Sequence, residues 1–319
     1  MAVNLDKPQS WKADVAASVD MYNQWFMDFA PKAFRETRVE TTKMVQLALQ
    51  RTSNLTDVSA DAFKKHPDIL PTLRMSTCPP IAVDRIVGLS GASKNLVKCL
   101  EEGKLPKRMA DDKLKTQLKL LGSIIEKMAD TDIFVWLGRK EPATEQEIER
   151  ASTIVADRLC GAKANPIIRN AQEKRQLSYM AKWLLARGYT ELPRDHGFDF
   201  DTMPPATFSF RLNVPVGDQD GGTTINIPVD AVIMRKSAKA GDFPLLVEAK
   251  SAGDFTNTNK RRKEEAQKMT QLRAKYGPDI EFILFLCGYF NPGYLGYEAS
   301  EGIDWVWEHR IDDMAQFNL

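Results

Sequence analysis

The hydrophobic period of the chain changes once, near Gly188, and this change restricts the folds that the chain can adopt. Before Gly188, apolar residues recur at helical spacing, as in VAASVDMYNQWFMDFAPKAF and LKTQLKLLGSIIEKMA. After it, they alternate with polar residues, as in ATFSFRLNVPV, TTINIPVDAVIMRK and FPLLVEAK. The first pattern is typical of amphipathic helices and the second of half-buried strands. We therefore expect a mostly α-helical N-terminal domain over residues 1–160 and an α/β (α+β) domain over residues 161–319.

Start and stop signals divide the second half of the chain into elements. We expect one helix to end at Gly161 and the next to have Asn165 as N-cap, Pro166 as its first residue and Gly188 as its stop. Three strands follow, and the turns QDGG and SAKAGD join them into an antiparallel meander. A charged helix, NKRRKEEAQKMTQLRAKYG, and a buried strand, IEFILFLCG, come next. The predicted order is helix, three strands, helix, strand.

Charge and composition disfavour several classes of protein. The formal net charge is only +1, so a polyanionic partner would have to bind a local basic patch. The four cysteines and three histidines are scattered, which disfavours a zinc site or a disulfide framework. There is neither a basic-then-apolar leader nor an apolar run of about 18 residues. These features predict a cytoplasmic protein with no membrane association.

The third predicted strand ends on two opposite charges, Glu248 and Lys250, with Ala249 between them. Side chains two positions apart on a strand lie on one face. The second strand carries Asp230 within an apolar run, and an antiparallel turn brings Asp230 next to Glu248. Two adjacent carboxylates repel each other unless a divalent cation lies between them. The pattern therefore predicts a Mg²⁺ site.

In this interpretation Asp230, Glu248 and the carbonyl of Ala249 are ligands of the cation. Lys250 would hold or help to deprotonate an attacking water and would offset charge on a phosphate during phosphodiester hydrolysis. The alternative is an ordinary salt bridge at a strand end, with an unrelated acid nearby.

These elements and acids resemble the PD-(D/E)XK nuclease superfamily. Asp230 on the second strand and Glu248-Ala249-Lys250 on the third match its motif, although Pro228 lies one residue further from the acid than the motif's proline. Three segments resemble more specifically the type II restriction endonucleases of the XamI kind: VEAKSAGDFTNTNKRRKEEAQK, PPIAVDRIVGLSGASKNLVKCLEEGKLP and NPIIRNAQEKRQLSYMAKWLLARGY.

The resemblance implies a restriction-endonuclease-like core and Mg²⁺-dependent cleavage of double-stranded DNA at a short specific site. A palindromic target would call for a twofold homodimer. A cognate DNA methyltransferase is expected in the same system, but not as a bound subunit. In many superfamily members an acid of the first core helix joins the metal site, and Glu173 is the matching position. An ordinary helix-surface pair with Arg169 is the alternative for Glu173.

A basic run lies where the charged helix is predicted to begin. Positive charge is unfavourable at a helix N-terminus, so a DNA phosphate backbone is a suitable partner for it. The alternative is a solvated face that Glu264 and Glu265 balance. The expected DNA-contacting residues of this run are Asn257, Asn259, Lys260, Arg261 and Arg262.

The segment VGLSGASKNLVKCL has the spacing of a helix-turn-helix, with Gly91 in the turn. A plain helical hairpin produces the same pattern. In the helix-turn-helix interpretation, the residues that face a major groove are Ser93, Lys94, Asn95 and Lys98.

Two other functions fit the same observations. One is a structure-specific repair or recombination nuclease of the same fold, which reads DNA shape. The other is a non-catalytic DNA-binding regulator that uses the helix-turn-helix-like segment.

Overall fold

The structure is a computed structural model that describes residues 2–195, 197–219, 223–256 and 258–319. The backbone forms two compact units. We call residues 30–168 the helical unit, and residues 2–29 with 169–319 the sheet unit. This division differs from the expected boundary at residues 160 and 161, because the first 29 residues pack with the C-terminal half of the chain.

Two long helices contribute residues to both units: α1 (Pro8–Arg51) and α7 (Glu145–Ala186). The helical unit also contains α2 (Ala60–Lys65), α3 (Leu70–Met75), α4 (Val83–Ser90), α5 (Lys94–Glu101) and α6 (Asp111–Met128). Its core is apolar, and Phe63, Leu118 and Phe134 are fully buried in it. Across the described part of the chain, no helix has the length and apolarity needed to cross a membrane.

Helix α7 contradicts the prediction of two helices separated near Gly161. It continues through Gly161 and contains Pro166 in its interior. A helical glycine costs only about 1 kcal/mol relative to alanine, which burial on both sides of it offsets. Cys160 and Ala164 are both fully buried. The expected stop at Gly188 is confirmed, since the helix ends at Ala186 and Gly188 has a left-handed φ of 77°.

Within its described residues, the sheet unit contains six strands in the order in which they occur in the chain: β1 (Thr190–Glu191), β2 (Thr207–Gln219), β3 (Thr223–Met234), β4 (Leu245–Ala252), β5 (Glu281–Gly288) and β6 (Asp304–Trp307). Strands β2, β3 and β4 form the predicted antiparallel meander. The other neighbours, β1 with β2, β4 with β5 and β5 with β6, are parallel.

The helices of the sheet unit lie between and after the strands. Helix α8 (Thr258–Tyr276) connects β4 to β5, and α9 (Pro292–Ser300) connects β5 to β6. Apart from the two-residue strand β1, the elements from α7 to β5 follow the order helix, three strands, helix and strand. A 3₁₀ helix (Glu308–Phe317) follows β6.

Alternate residues of β4 pack into different cores. Leu246 lies with Met269 and Leu272 of α8, whereas Val247 lies with Met180 and Leu184 of α7. Because strand side chains alternate between faces, Glu248 and Lys250 lie on the face that α8 covers. The sheet thus directs both charges towards α8.

Asp304 attaches the N-terminal segment to the sheet. Its carboxylate, which is only 7% exposed, accepts the backbone N–H groups of Val3 at 2.5 Å, Asn4 at 2.9 Å and Leu5 at 3.1 Å. The side chain of Asn4 in turn donates to the carbonyl of Trp305. These bonds account for the membership of the first residues in the sheet unit.

Replacing Asp304 with alanine is expected to lower the free energy of unfolding by about 3 kcal/mol, because it removes a buried anion that the backbone N–H groups of residues 3–5 share. Urea unfolding followed by circular dichroism measures this loss. The exposed acid Asp279 supplies the control, and Asp279→Ala is expected to change stability by less than about 0.5 kcal/mol. Equal effects of the two substitutions would contradict the anchoring role.

Candidate active site

The structure places Asp230 directly beside Glu248-Ala249-Lys250. The last paired positions of β3 and β4 at this end are Ala231 and Val247. One residue further along β3, the carboxylate of Asp230 accepts the N–H of Ala249 at 2.9 Å. The side chain thereby continues the contact between two strands whose backbone pairing has ended. Asp230, Glu248 and Lys250 are brought to one point, as the interpretation of the sequence requires.

Lys250 is held between two carboxylates. Its Nζ lies 3.0 Å from Oε1 of Glu248 and 2.8 Å from Oε1 of Glu265 on α8. A second ammonium, that of Lys268, lies 2.7 Å from the same Glu248 oxygen and also donates to the carbonyl of Pro228 at 3.3 Å. Glu265 is fully buried, and Lys250 is mostly buried. The strand end therefore carries a buried ionic network, not an exposed salt bridge.

The site has unbalanced negative charge at Asp230. Burial, the nearby charge of Glu248 and, to a lesser extent, that of Glu173 raise the pKa of Asp230 to about 6, although the Ala249 N–H opposes this shift. Lys250 behaves in the opposite way. Burial would lower the pKa of its ammonium, but Glu248 and Glu265 outweigh burial and raise it. The Lys250 side chain is thus held as a cation. A further positive charge next to Asp230 would stabilise the ionised form of its carboxylate.

Glu173 lies on α7 and is paired with a different side chain. Its Oε1 accepts from the guanidinium of Arg211 at 2.8 Å, so the expected alternative partner, Arg169, is not the one observed. Among the described residues, no group of three or more His, Cys, Asp or Glu side chains comes together as a metal site. Asp230 and Glu248 form a pair of carboxylates, and Glu173 is near enough to Asp230 to influence its pKa.

Three residues of the site were not predicted from the sequence. The alternative interpretation of the basic run places Glu265 on a solvated face, but Glu265 is fully buried against Lys250. The sequence pattern does not single out Lys268 or Gln176. Gln176 of α7 donates to the carbonyls of Lys250 and Phe285, both at 3.3 Å. The helical spacing of Glu265 with the buried residues Met269 and Leu272 was the available signal.

A further buried acid lies behind this network. Glu298 of α9 is fully buried, and burial together with the charge of Glu265 raises its pKa to about 8, against a hydrogen bond from Tyr294 that lowers it. At neutral pH the folded protein therefore keeps a proton on Glu298 that the unfolded chain releases. Folding becomes less favourable as the pH rises from about 4.5 to about 8, and the cost is constant above that range.

Glu298→Gln is expected to stabilise the protein in a pH-dependent way, because the amide needs no proton. The gain in unfolding free energy is expected to be near zero below pH 4.5 and to reach on the order of 4 kcal/mol above pH 8. Urea unfolding at low, neutral and high pH measures it. The exposed acid Glu264 on α8 provides the control, Glu264→Gln, for which no such trend is expected. A gain that is the same at every pH would contradict the assignment.

The expected DNA-contacting residues lie in two places. Asn257 lies outside the described residues, and so do the side chains of Asn259, Lys260, Arg261 and Arg262, although α8 begins at Thr258 and places these four in its first turns. In the helical unit, α4 and α5 are joined by a short turn in which Gly91 has a φ of 68° and Ser93 caps α5. The side chains of Lys94, Asn95 and Lys98 are exposed on α5.

Comparisons with known proteins identify related sequences. The family described as XamI restriction endonuclease matches residues 53–307 of the chain. The chain is 56% identical over 312 residues to the type II restriction enzyme SalI of Streptomyces albus G, an alignment that covers 98% of each protein. No solved structure matches.

A site-specific DNA endonuclease is the class of protein that these similarities define. The chain belongs to the XamI restriction endonuclease family. Its substrate is DNA, and of the functions that the sequence left open, family membership favours the type II restriction enzyme over a repair nuclease or a non-catalytic regulator.

Proposed function

We propose that the chain hydrolyses phosphodiester bonds of double-stranded DNA at a short specific site, and that a Mg²⁺ ion held by Asp230 and Glu248 is required. The observation that carries this proposal is the hydrogen bond from Ala249 to Asp230, which fixes two carboxylates and one ammonium at the end of two adjacent strands. Oxygen ligands from one or two carboxylates are typical of Mg²⁺ in proteins.

The residues present fit such an ion. Oε2 of Glu248 is buried and has no hydrogen-bond partner within the described part of the chain. The raised pKa of Asp230 arises from burial and from Glu248, and a cation between the two groups would remove that repulsion. The carbonyl of Ala249 is the further ligand that we propose, and Glu173 is a candidate for an additional one. When bound, Mg²⁺ supplies Lewis-acid stabilisation of the charge that develops on the phosphate.

Lys250 is proposed to act as a fixed cation. Glu248 and Glu265 hold its ammonium at 3.0 Å and 2.8 Å, so its direction is set before the substrate binds. In this position it can orient the attacking water and donate to a phosphate oxygen as negative charge increases there. Gln176 fixes the backbone at the same residue, because it donates to the Lys250 carbonyl.

The rest of the architecture supports a restriction-endonuclease-like core. We assign this core to the C-terminal part of α7, the meander of β2 to β4, helix α8 and strand β5, on the basis of their order and of the carboxylates on β3 and β4. A twofold homodimer, with one site for each DNA strand, and a separate cognate methyltransferase belong to the same proposal. A reducing cytoplasm suits the four free cysteines.

Incubation of the purified protein with a phage DNA of known sequence tests this function. With Mg²⁺ we expect discrete, reproducible fragments, and with excess chelator we expect intact DNA. A smear, or nicks at branched structures, would instead indicate a nuclease that reads DNA shape. Intact DNA with both Mg²⁺ and Mn²⁺ would contradict the proposal.

A further inference from the structure

Arg211 adopts a strained backbone conformation in the interior of a strand. It lies within β2, yet its φ is +58°, a left-handed value that residues with a side chain rarely adopt. Glycine would adopt this value without cost. Residues held in such conformations concentrate at functional sites, where the surrounding structure imposes them. Something other than backbone preference therefore accounts for an arginine here.

The strained residue lies opposite the proposed metal ligand. Phe210 pairs with Ala231 and Leu212 pairs with Val229, so Arg211 lies across from Asp230. The two strands change faces at this point. Phe208 belongs to the core beneath α7, whereas Leu212 and Val214 belong to the core on the α8 side. In a regular strand, side chains an even number of positions apart lie on the same face. The unusual backbone at Arg211 is thus part of the geometry that presents Asp230.

The contacts that the guanidinium makes in this structure do not explain why an arginine occupies position 211. Its ion pair with Glu173 joins two side chains that are 55% and 40% exposed, and exposed pairs contribute little to stability. Its surroundings are acidic, with Glu173, Asp230 and Glu248 near one another. A guanidinium that is more than half exposed next to such a site offers a planar pair of donors, which is the geometry that binds two oxygens of a phosphate.

We propose that Arg211 binds a backbone phosphate of the DNA strand that is cut, next to Asp230 and Glu248. In the absence of DNA its guanidinium pairs with Glu173, and DNA binding replaces that carboxylate with a phosphodiester. The exchange leaves Glu173 free to face the cation. This inference rests on the proposed function, since it assumes that the scissile phosphate lies at these carboxylates.

Arg211→Gly is the decisive variant, because it removes the guanidinium and also relieves the strain. Its thermal stability is expected to equal or exceed that of the wild type. In duplex binding with chelator present, we expect the dissociation constant to rise about tenfold at moderate salt and the slope of log K against log salt to decrease by about one. With Mg²⁺, we expect kcat/KM to fall by about tenfold to a hundredfold.

Three further variants separate the possible causes. Arg187 forms a comparable pair with Asp312 at 2.8 Å, and Arg187→Gly is expected to leave the salt slope and cleavage unchanged. Arg211→Lys keeps the positive charge, so we expect an unchanged slope of log K against log salt. Lysine lacks the planar pair of guanidinium donors, so we expect kcat to decrease in part. Glu173→Gln is expected to keep the slope, which distinguishes phosphate binding by Arg211 from mere positioning of Glu173.

An unchanged salt slope together with unchanged kcat and KM in Arg211→Gly would overturn the inference. Its failure can be distinguished from failure of the proposed function. If the wild type cuts no DNA with Mg²⁺ or Mn²⁺, the proposed function fails, while the salt slope measured with chelator on a random-sequence duplex still decides whether Arg211 binds phosphate.

Discussion

Asp230→Asn is expected to lower kcat for DNA cleavage by about three orders of magnitude while leaving the fold at least as stable as the wild type. The asparagine keeps an oxygen that can accept the N–H of Ala249, but it removes the charge that repels Glu248. A residue that is retained at a cost in stability is typical of a functional site. Single-turnover cleavage and thermal unfolding of the same preparation measure both effects.

The control for this prediction is Asp279→Asn, since Asp279 is exposed and lies in the turn after α8. We expect it to cut DNA at the wild-type rate. DNA binding by Asp230→Asn in the presence of chelator is expected to be at least as tight as that of the wild type, because a negative charge has been removed from the binding surface. Wild-type cleavage by Asp230→Asn would exclude the carboxylate as a metal ligand.

Lys250→Met is expected to abolish detectable cleavage and also to destabilise the protein by about 3 to 5 kcal/mol. The second effect arises because Glu265, which is fully buried, loses its ion-pair partner, and an unpaired buried charge is costly. Glu248 keeps Lys268 at 2.7 Å and is therefore less affected. Urea unfolding and plasmid cleavage measure the two losses separately.

The double variant Lys250→Met with Glu265→Gln separates chemistry from folding. Removing both charges leaves no unpaired ion, so we expect most of the lost stability to return, as is usual for residues that are directly coupled. Cleavage is expected to remain absent, because the ammonium is still missing. Recovery of cleavage along with stability would show that Lys250 has only a structural role. A double variant as unstable as the single one would contradict the coupling with Glu265.

The change of hydrophobic period near Gly188 was sufficient to predict the strands of the meander and their order. Alternation reports directly on which residues are half buried, and the turn SAKAGD determines which strands are neighbours. The continuity of α7 was not predictable in this way. The signals at Gly161 and Pro166 are local, whereas the burial that continues the helix past them depends on the rest of the unit.

The centre of the site was predictable because it depends on two adjacent strands. Once Asp230 and Glu248 are placed on neighbours in a meander, their proximity follows from geometry. Glu265 was less predictable, because charged residues occupy most positions of the helix around it and only the spacing with Met269 and Leu272 indicates that it faces the sheet. Its burial follows from packing against Lys250.

Two features of the sheet unit depend on contacts between distant residues. Asp304 binds the backbone of residues 3–5 across about three hundred positions, and no local pattern marks a carboxylate for that role. The left-handed backbone of Arg211 likewise has no signal in an alternating strand sequence. In both cases the tertiary structure, and not the neighbouring sequence, determines what the residue does.

A structure of the protein bound to its DNA target with Ca²⁺ in place of Mg²⁺ tests the central claim most directly. We expect a cation with carboxylate oxygens of both Asp230 and Glu248 at about 2.3 to 2.6 Å, and a backbone phosphate that shares the same ion and contacts Lys250. A cation bound elsewhere, with the nearest phosphate more than about 8 Å from these carboxylates, would contradict the account, because groups so far apart cannot share one ion.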